Sequence, residues 1–412
     1  MKAISNLVRQ YKNLPNDAWW LLGADVCLQL INSAFSILLN YVMIDHGYKD
    51  YDITSINGNR YLAVLLCSYP LALLSKRINI KMLMTIGAVS APILSLMMLW
   101  CIHFNVSELL RITTFLWGVS FSLVQILALP VLMNICNESN ETEAISLFFA
   151  AGSLTTILCG TLNAAIHYFN PLLTNISLLA MYCIIAAAGP LFIFKMKFHN
   201  YKHHHESEDL KTNADWKRIG QALLPTFLIA FGAGFTIPFI NLFFKIVHGV
   251  ESNTFSLMNS IAFTLVVIGG FLNPIVKRKF GYKTAIVTLQ SFAIIALLIL
   301  GTTEWFKDWQ FAALFAMMMY IVRQPLMNLA GPLTAELSMK FVGEKNRKTV
   351  SAITSAIWSG SWFLSAMIFS VLREMNISYS NIIFITAAFY ILGVLSYYRL
   401  ILKFEKQDLI ES

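Results

Sequence analysis

Twelve times between residues 18 and 402 the sequence runs for about 20 residues with few or no charges before a short polar break stops it. The runs occupy approximately 18–44, 58–75, 81–103, 109–134, 144–168, 172–195, 219–245, 254–276, 284–303, 310–336, 349–372 and 380–402. A helix of that length crosses the hydrocarbon core of a bilayer. Inside that core every backbone N–H and C=O must be bonded within its own segment, so each run is expected to be a helix. The expected fold class is therefore an all-α polytopic membrane protein with 12 transmembrane helices, and an even number of crossings brings both termini to one side.

Hydrophobic residues make up 57% of the 412 and charged residues only 13%, against about 25% charged in ordinary soluble chains. No polar stretch approaches the roughly 50 residues a domain needs, so a soluble catalytic domain is excluded. No phosphate-binding glycine loop, zinc spacing or nucleophile constellation is present, so no enzyme activity, cofactor or metal is expected. The six cysteines, Cys27, Cys67, Cys101, Cys136, Cys159 and Cys183, lie in or beside apolar runs without a CxxC pair and read as small buried hydrophobes. The first run is too long for the apolar region of a cleaved signal and is interrupted by Asp25.

The net charge of +8 could suggest a nucleic-acid partner, but its distribution follows the topology instead. Segments on the side of the termini hold 23 of the 30 lysines and arginines, the opposite side holds 6, and Arg323 lies within a run. The excess of cations in cytoplasmic loops predicts both termini in the cytoplasm, with the chain integral to the plasma (inner) membrane. The lipid bilayer is then the expected surrounding, nucleic acid is not a partner, and a monomer is expected.

The longest polar break, Met196 to Trp216, divides the chain into an N-terminal six-helix bundle at 1–195, a cytoplasmic linker at 196–216 and a C-terminal six-helix bundle at 217–412. The linker carries His203, His204 and His205, which read as a solvated tail because adjacent histidines without further ligands seldom enclose a metal. The halves repeat at a single offset. Ile44-Asp45-His46-Gly47 returns as Ile246-Val247-His248-Gly249, Lys76-Arg77 as Arg278-Lys279, and Pro130 as Pro332, each 202 residues later. With six spans per copy, both copies start on the same side and the repeat is parallel.

On these features the chain resembles transporters of the major facilitator superfamily over essentially its whole length. The most similar piece is the loop after the eighth span, Gly270-Phe271-Leu272 through Pro274, then Lys277-Arg278-Lys279-Phe280-Gly281-Tyr282-Lys283. Gly281, and Asn79 in the first copy, are expected to supply the positive φ that so short a reversal needs. The family's loop carries an aspartate just before its basic residues, where Lys76 and Arg278 stand here. Gly152 and Gly160 occupy the fifth span without the proline that many proton-coupled exporters of the family place between such glycines.

Two spans hold the candidate site. In the first, Asp25, Gln29, Asn32, Ser36 and Asn40 recur at helical spacing and form one polar face. Lipid does not tolerate that face, so it is either the wall of a solute path, with Asp25 as proton carrier or cytoplasmic gate, or a hydrogen-bonded seam to a neighbouring helix. In the tenth, Arg323 and Gln324 stand among apolar residues just before Pro325, and Asn328 lies between Pro325 and Pro332. A cation at that depth costs at least about 2.5 to 3.5 kcal/mol, and it meets either an anionic substrate group, a switching ion pair or a static structural partner.

The resemblance implies that the first, fourth, seventh and tenth spans line one central space. That adds Trp117, Ser120, Ser122 and Gln125 from the fourth span and Phe231, Phe235, Thr236 and Asn241 from the seventh, where Gly232, Gly234 and Pro238 promise local deformability. Charges at equivalent places in the two copies, Lys76, Arg77 and Glu143 in the first and Arg278, Lys279, Glu336 and Arg347 in the second, are the expected gate. The tripeptides Asn105-Val106-Ser107 and Asn376-Ile377-Ser378 on the opposite face match the sugar-acceptor pattern. The function expected from all of this is secondary transport of a small organic solute by alternating access. Proton-coupled export of an amphipathic or anionic compound is the first expectation and proton-driven uptake of a nutrient (sugar, peptide or organic acid) the competitor. A non-transporting scaffold or membrane enzyme is the remote third.

Overall fold

The computed structural model of the chain describes residues 14–75, 77–136, 141–197, 215–343 and 346–411. Among these it contains fourteen α-helices and no strand. They are α1 (Asn16–Asp45), α2 (Asp50–Leu74), α3 (Ile80–His103), α4 (Ser107–Ile135), α5 (Glu141–Phe169), α6 (Asn175–Ala186), α7 (Gly189–Lys195), α8 (Trp216–Thr236), α9 (Ile240–His248), α10 (Ser252–Tyr282), α11 (Leu289–Thr302), α12 (Ala312–Val342), α13 (Arg347–Glu374) and α14 (Tyr379–Glu411). The pairs α6–α7 and α8–α9 are each one span broken near its middle, so the fold is all-helical with twelve spans. Ten of the twelve are long and apolar enough to cross a membrane on those grounds alone. The other two, α2 and α12, carry Arg60 and Arg323 near their middles.

Helix ends explain several of the sequence signals. After α1, Gly47 takes φ +84° and Tyr48 N–H donates to the Met43 carbonyl at 3.0 Å, closing the last turn in the manner of a Schellman motif. After α9, Gly249 repeats the left-handed turn with φ +62°. The His-Gly repeat at offset 202 therefore marks two equivalent helix stops. The two sugar-acceptor tripeptides have the same explanation: Asn105 and Asn376 sit at φ 55° and 59°, and the following Val106 and Ile377 N–H groups donate to the Cys101 and Leu372 carbonyls. Asparagine is there because its short polar side chain tolerates the left-handed region.

The loop expectation is met at one glycine and corrected at one asparagine. Gly281 has φ +70° and kinks α10 one residue before its end, ahead of a π-helical turn at Lys283–Thr288. Asn79 instead has φ −59°, and its side-chain oxygen accepts from Lys81 N–H at 2.9 Å as the N-cap of α3. An N-cap satisfies one of the orphan donors of a helix start, which is reason enough for asparagine there without a left-handed turn. Lys76 and the histidines of the linker lie outside the described residues.

The chain packs as two compact units, one from the described part of residues 1–48 and 59–206 and the other from 49–58 and 207–412. In the first, Leu21, Leu28, Met84, Ala128 and Leu132 of α1, α3 and α4 join a buried apolar cluster with Leu71 of α2, Phe148 of α5 and Ile193 of α7. In the second, α8 approaches α13 and α14 through glycines: a Cβ on Gly234 would stand 2.7 Å from Ser365 Cβ and 3.0 Å from Trp362 Cα. One on Gly232 would stand 2.9 Å from Phe389 Cβ. These two glycines serve close packing, while the bend in the seventh span comes just after them, at the 3-10 turn Ile237–Phe239 that holds Pro238. Gly234→Val should therefore destabilise the purified protein by about 1 to 3 kcal/mol in thermal unfolding. Gly220→Ala on the same helix, where nothing lies within 4 Å, should leave it unchanged or firmer.

Candidate functional site

In the first unit the polar face of α1 is knitted into a network. Asp25 is fully buried, and Gln125 Nε2 of α4 donates to its Oδ1 at 2.5 Å, while Oδ2 has no hydrogen-bond partner. Among the described residues Asp25 has no ion pair. One turn on, Asn32 Nδ2 donates to Gln29 Oε1 at 3.2 Å and Arg60 of α2 donates to Asn32 Oδ1 at 3.0 Å. The Arg60 guanidinium stands 4.9 Å from the ring centre of Trp117, which stacks on Phe35. Ser36 is exposed and Asn40 is buried on the same helix. Of the fourth-span residues, Ser120 receives a hydrogen bond from Ser90 at 2.8 Å and Ser122 bonds back to the Gly118 carbonyl.

Arg60 is the residue that hydropathy misplaced. Reading the second span from residue 58 put Arg60 at its rim, but α2 begins at Asp50, so Arg60 lies three turns inside a helix. The first turns of α2 are polar because their side chains face protein. Asp50 Oδ2 accepts from Arg373 Nε at 2.6 Å and from Tyr379 O–H at 2.8 Å, and Ser370 Oγ donates to the Tyr51 carbonyl at 2.7 Å. These bonds tie residues 49–58 to α13 and α14.

In the second unit a cavity of about 430 Å³ surrounds Arg323. Gln324 and Asn328 also line it, and α12 runs unbroken through Pro325 and Pro332 beside it. Arg323 is 3% exposed. Its NH1 donates to Gln324 Oε1 at 2.9 Å and its NH2 to Tyr390 O–H oxygen at 3.0 Å, both neutral acceptors, while Nε has no partner. Among the described residues no carboxylate pairs with it, and no Asp or Glu lines the cavity. Two more buried wall groups, Gln290 Oε1 and Ser338 Oγ, also have no partner.

Trp358, Trp362, Tyr390 and Tyr397 supply most of the aromatic wall, and sequence reasoning missed all four. Their spacing carried a signal: Thr354, Trp358 and Trp362 recur every fourth residue on α13, and Tyr390 and Tyr397 are two turns apart on α14. Asn241, assigned to the solute path, is buried in α9 and does not line this cavity. Phe231 and Phe235 pack with Phe389, and Thr236 bonds Thr386 at 2.6 Å.

Of the expected gate charges, Glu336 is the one the structure ties down. Lys277 Nζ reaches both its carboxylate oxygens at 2.6 and 2.7 Å, and Lys340 one turn further along α12 reaches it at 3.0 Å. That contact holds both lysines above the ordinary ammonium range. Arg278 and Lys279, singled out from the loop, are exposed beside Lys277. Arg347 Nε donates to the Met339 carbonyl at 3.4 Å. Arg77 is exposed after α2, and Glu143 is half-buried in the first turn of α5.

One helical unit holds the fully buried Asp25 side chain and the other the buried Arg323 beside a cavity, polar groups that membrane-spanning helices keep away from lipid. The Major Facilitator Superfamily profile matches residues 21–366, and the chain belongs to that family. It is an integral multi-pass membrane protein and a secondary transporter, not an enzyme. Comparison with curated proteins finds no match. Among solved structures it is similar to the nucleoside transporter NupG, with TM-score 0.73 and 12% identity over 94% of this chain and 99% of that one. It is also similar to a D-xylose-proton symporter, with TM-score 0.69 and 14% identity over 94% and 96%. A third is a bacterial homologue of the iron transporter ferroportin in the inward-facing state, with TM-score 0.72 and 13% identity over 93% and 98%. At such identities the likeness is one of fold.

Proposed function

We propose that the protein is a proton-coupled carrier of a small amphipathic or anionic organic solute, which binds around Arg323 and moves by alternating access. The observation that carries this reading is the Arg323 cavity. A buried guanidinium bonded only to neutral oxygens, with Nε unpartnered, is stabilised by any anion that enters. Asp25 is the proposed proton carrier. Burying an unpaired carboxylate without a full set of donors is expensive, and taking up a proton removes the charge. Gln29, Asn32 and Arg60 continue the polar path along the first unit. Glu336, with Lys277 and Lys340, is the proposed gate charge on the second unit.

The direction we propose is export, from a plasma membrane in which both termini are cytoplasmic. The wall bears on the solute carried: Trp358, Trp362, Met327 and Met339 suit an amphipathic compound better than a sugar, which needs a denser array of hydrogen-bonding groups. Cells expressing the protein and preloaded with a fluorescent organic anion should lose it faster than cells without, and an uncoupler should stop the difference. Uncoupler-sensitive accumulation of a labelled solute in its place would reverse the direction to uptake.

A further inference from the structure

Resting on the proposal that solute binds in the Arg323 cavity, we infer that the solute is an aromatic monoanion carrying one neutral hydrogen-bond donor and no ammonium group. Three buried atoms, on side chains that line the cavity and would turn toward a bound solute, set the requirement. Arg323 Nε is a donor with a full positive charge and no acceptor, which calls for an anionic oxygen. Gln290 Oε1 is an acceptor with no donor, in a side chain 3% exposed, which calls for an N–H or O–H on the solute. Ser338 Oγ, 4% exposed, serves with either polarity.

The rest of the wall limits what else the solute carries. With no Asp or Glu in the lining among the described residues, an ammonium group would be buried beside Arg323 without a counter-ion, so amines and zwitterionic amino acids are disfavoured. A second negative charge would likewise find only one cation, since Arg323 is the only charged residue of the lining among the described residues. Trp358, Trp362, Tyr390 and Tyr397 offer ring faces to a flat apolar body, and about 430 Å³ holds one or two fused rings with a short acidic arm.

Four probes of nearly one shape separate these requirements: indole-3-acetate, 1-naphthaleneacetate, tryptophan and tryptamine. They are titrated against the full chain in lipid nanodiscs by calorimetry and thermal shift. Indole-3-acetate should bind and raise the melting temperature. 1-Naphthaleneacetate, which lacks the N–H, should bind about three- to tenfold more weakly, while tryptophan and tryptamine should give no shift. Gln290→Met should bring the two acids to equal affinity, and Arg323→Lys should weaken both by about tenfold or more, because an ammonium cannot keep the bonds to Gln324 and Tyr390 and also supply the donor that Nε offers, though the charge stays.

Binding of tryptamine or tryptophan as strong as that of indole-3-acetate would overturn the assignment, as would equal binding of the two acids by the unmodified protein. A flux assay with indole-3-acetate in liposomes keeps this result apart from the carrier reading. Binding without flux sustains the solute class and contradicts transport of it. Flux of another solute that Arg323→Lys leaves intact sustains transport and contradicts the class.

Discussion

Arg323→Ala is expected to lower binding of organic anions by about 10- to 100-fold, the equivalent of losing a charge-assisted hydrogen bond of about 1.5 to 3 kcal/mol. Among the described residues the cation is the one charged group in the cavity wall, so no other can take its place. Truncation also frees the Tyr390 hydroxyl and Gln324 Oε1, which then bond to water admitted by the missing side chain. Stability should consequently fall little or even rise, since removing an unpaired buried charge relieves desolvation. Thermal unfolding without solute and calorimetry with it separate the two effects. A variant that melts as the parent does yet binds anions as tightly would remove Arg323 from the site.

Asp25→Asn should abolish proton-driven movement while leaving exchange of solute for solute in place. The substitution is nearly isosteric, and the asparagine carbonyl can still accept from Gln125 Nε2, so α1 and α4 keep their contact. What disappears is the ability to gain and lose a proton inside the first unit. A carrier locked in the neutral form still binds and releases solute but no longer responds to a proton gradient. Loss of both gradient-driven flux and exchange would mean that Asp25 holds the fold or the solute. Retention of both would make the Asp25–Gln125 contact a structural seam.

Much of this was legible in the sequence because bilayers impose simple rules. Apolar run length gave the twelve spans, the offset of 202 gave the repeat, and Arg323 was conspicuous as the one cation far from any polar break. The polar face of α1 was legible for the same reason, since Asp25, Gln29 and Asn32 at helical spacing have to meet protein. Arg60 was hidden because the polar start of α2 looks like a loop until its partners, Asn32 on α1 and Trp117 on α4, are known. Trp358, Trp362, Tyr390 and Tyr397 were hidden because aromatic residues at helical spacing read the same whether they pack against a neighbour or line a cavity. Lys277, rather than Arg278 or Lys279, meets Glu336, a choice fixed by the turn of α10 and not by charge count.

The most direct test follows protons and solute together. Purified protein in liposomes loaded with an organic anion and a trapped pH dye is diluted into solute-free buffer, with protein-free liposomes as the baseline. The proposed exchange predicts that the interior acidifies as the anion leaves, and that Asp25→Asn abolishes the acidification. Protein-dependent loss of the anion with no change of internal pH, or with a change that Asp25→Asn leaves untouched, would contradict proton-coupled carriage through these residues.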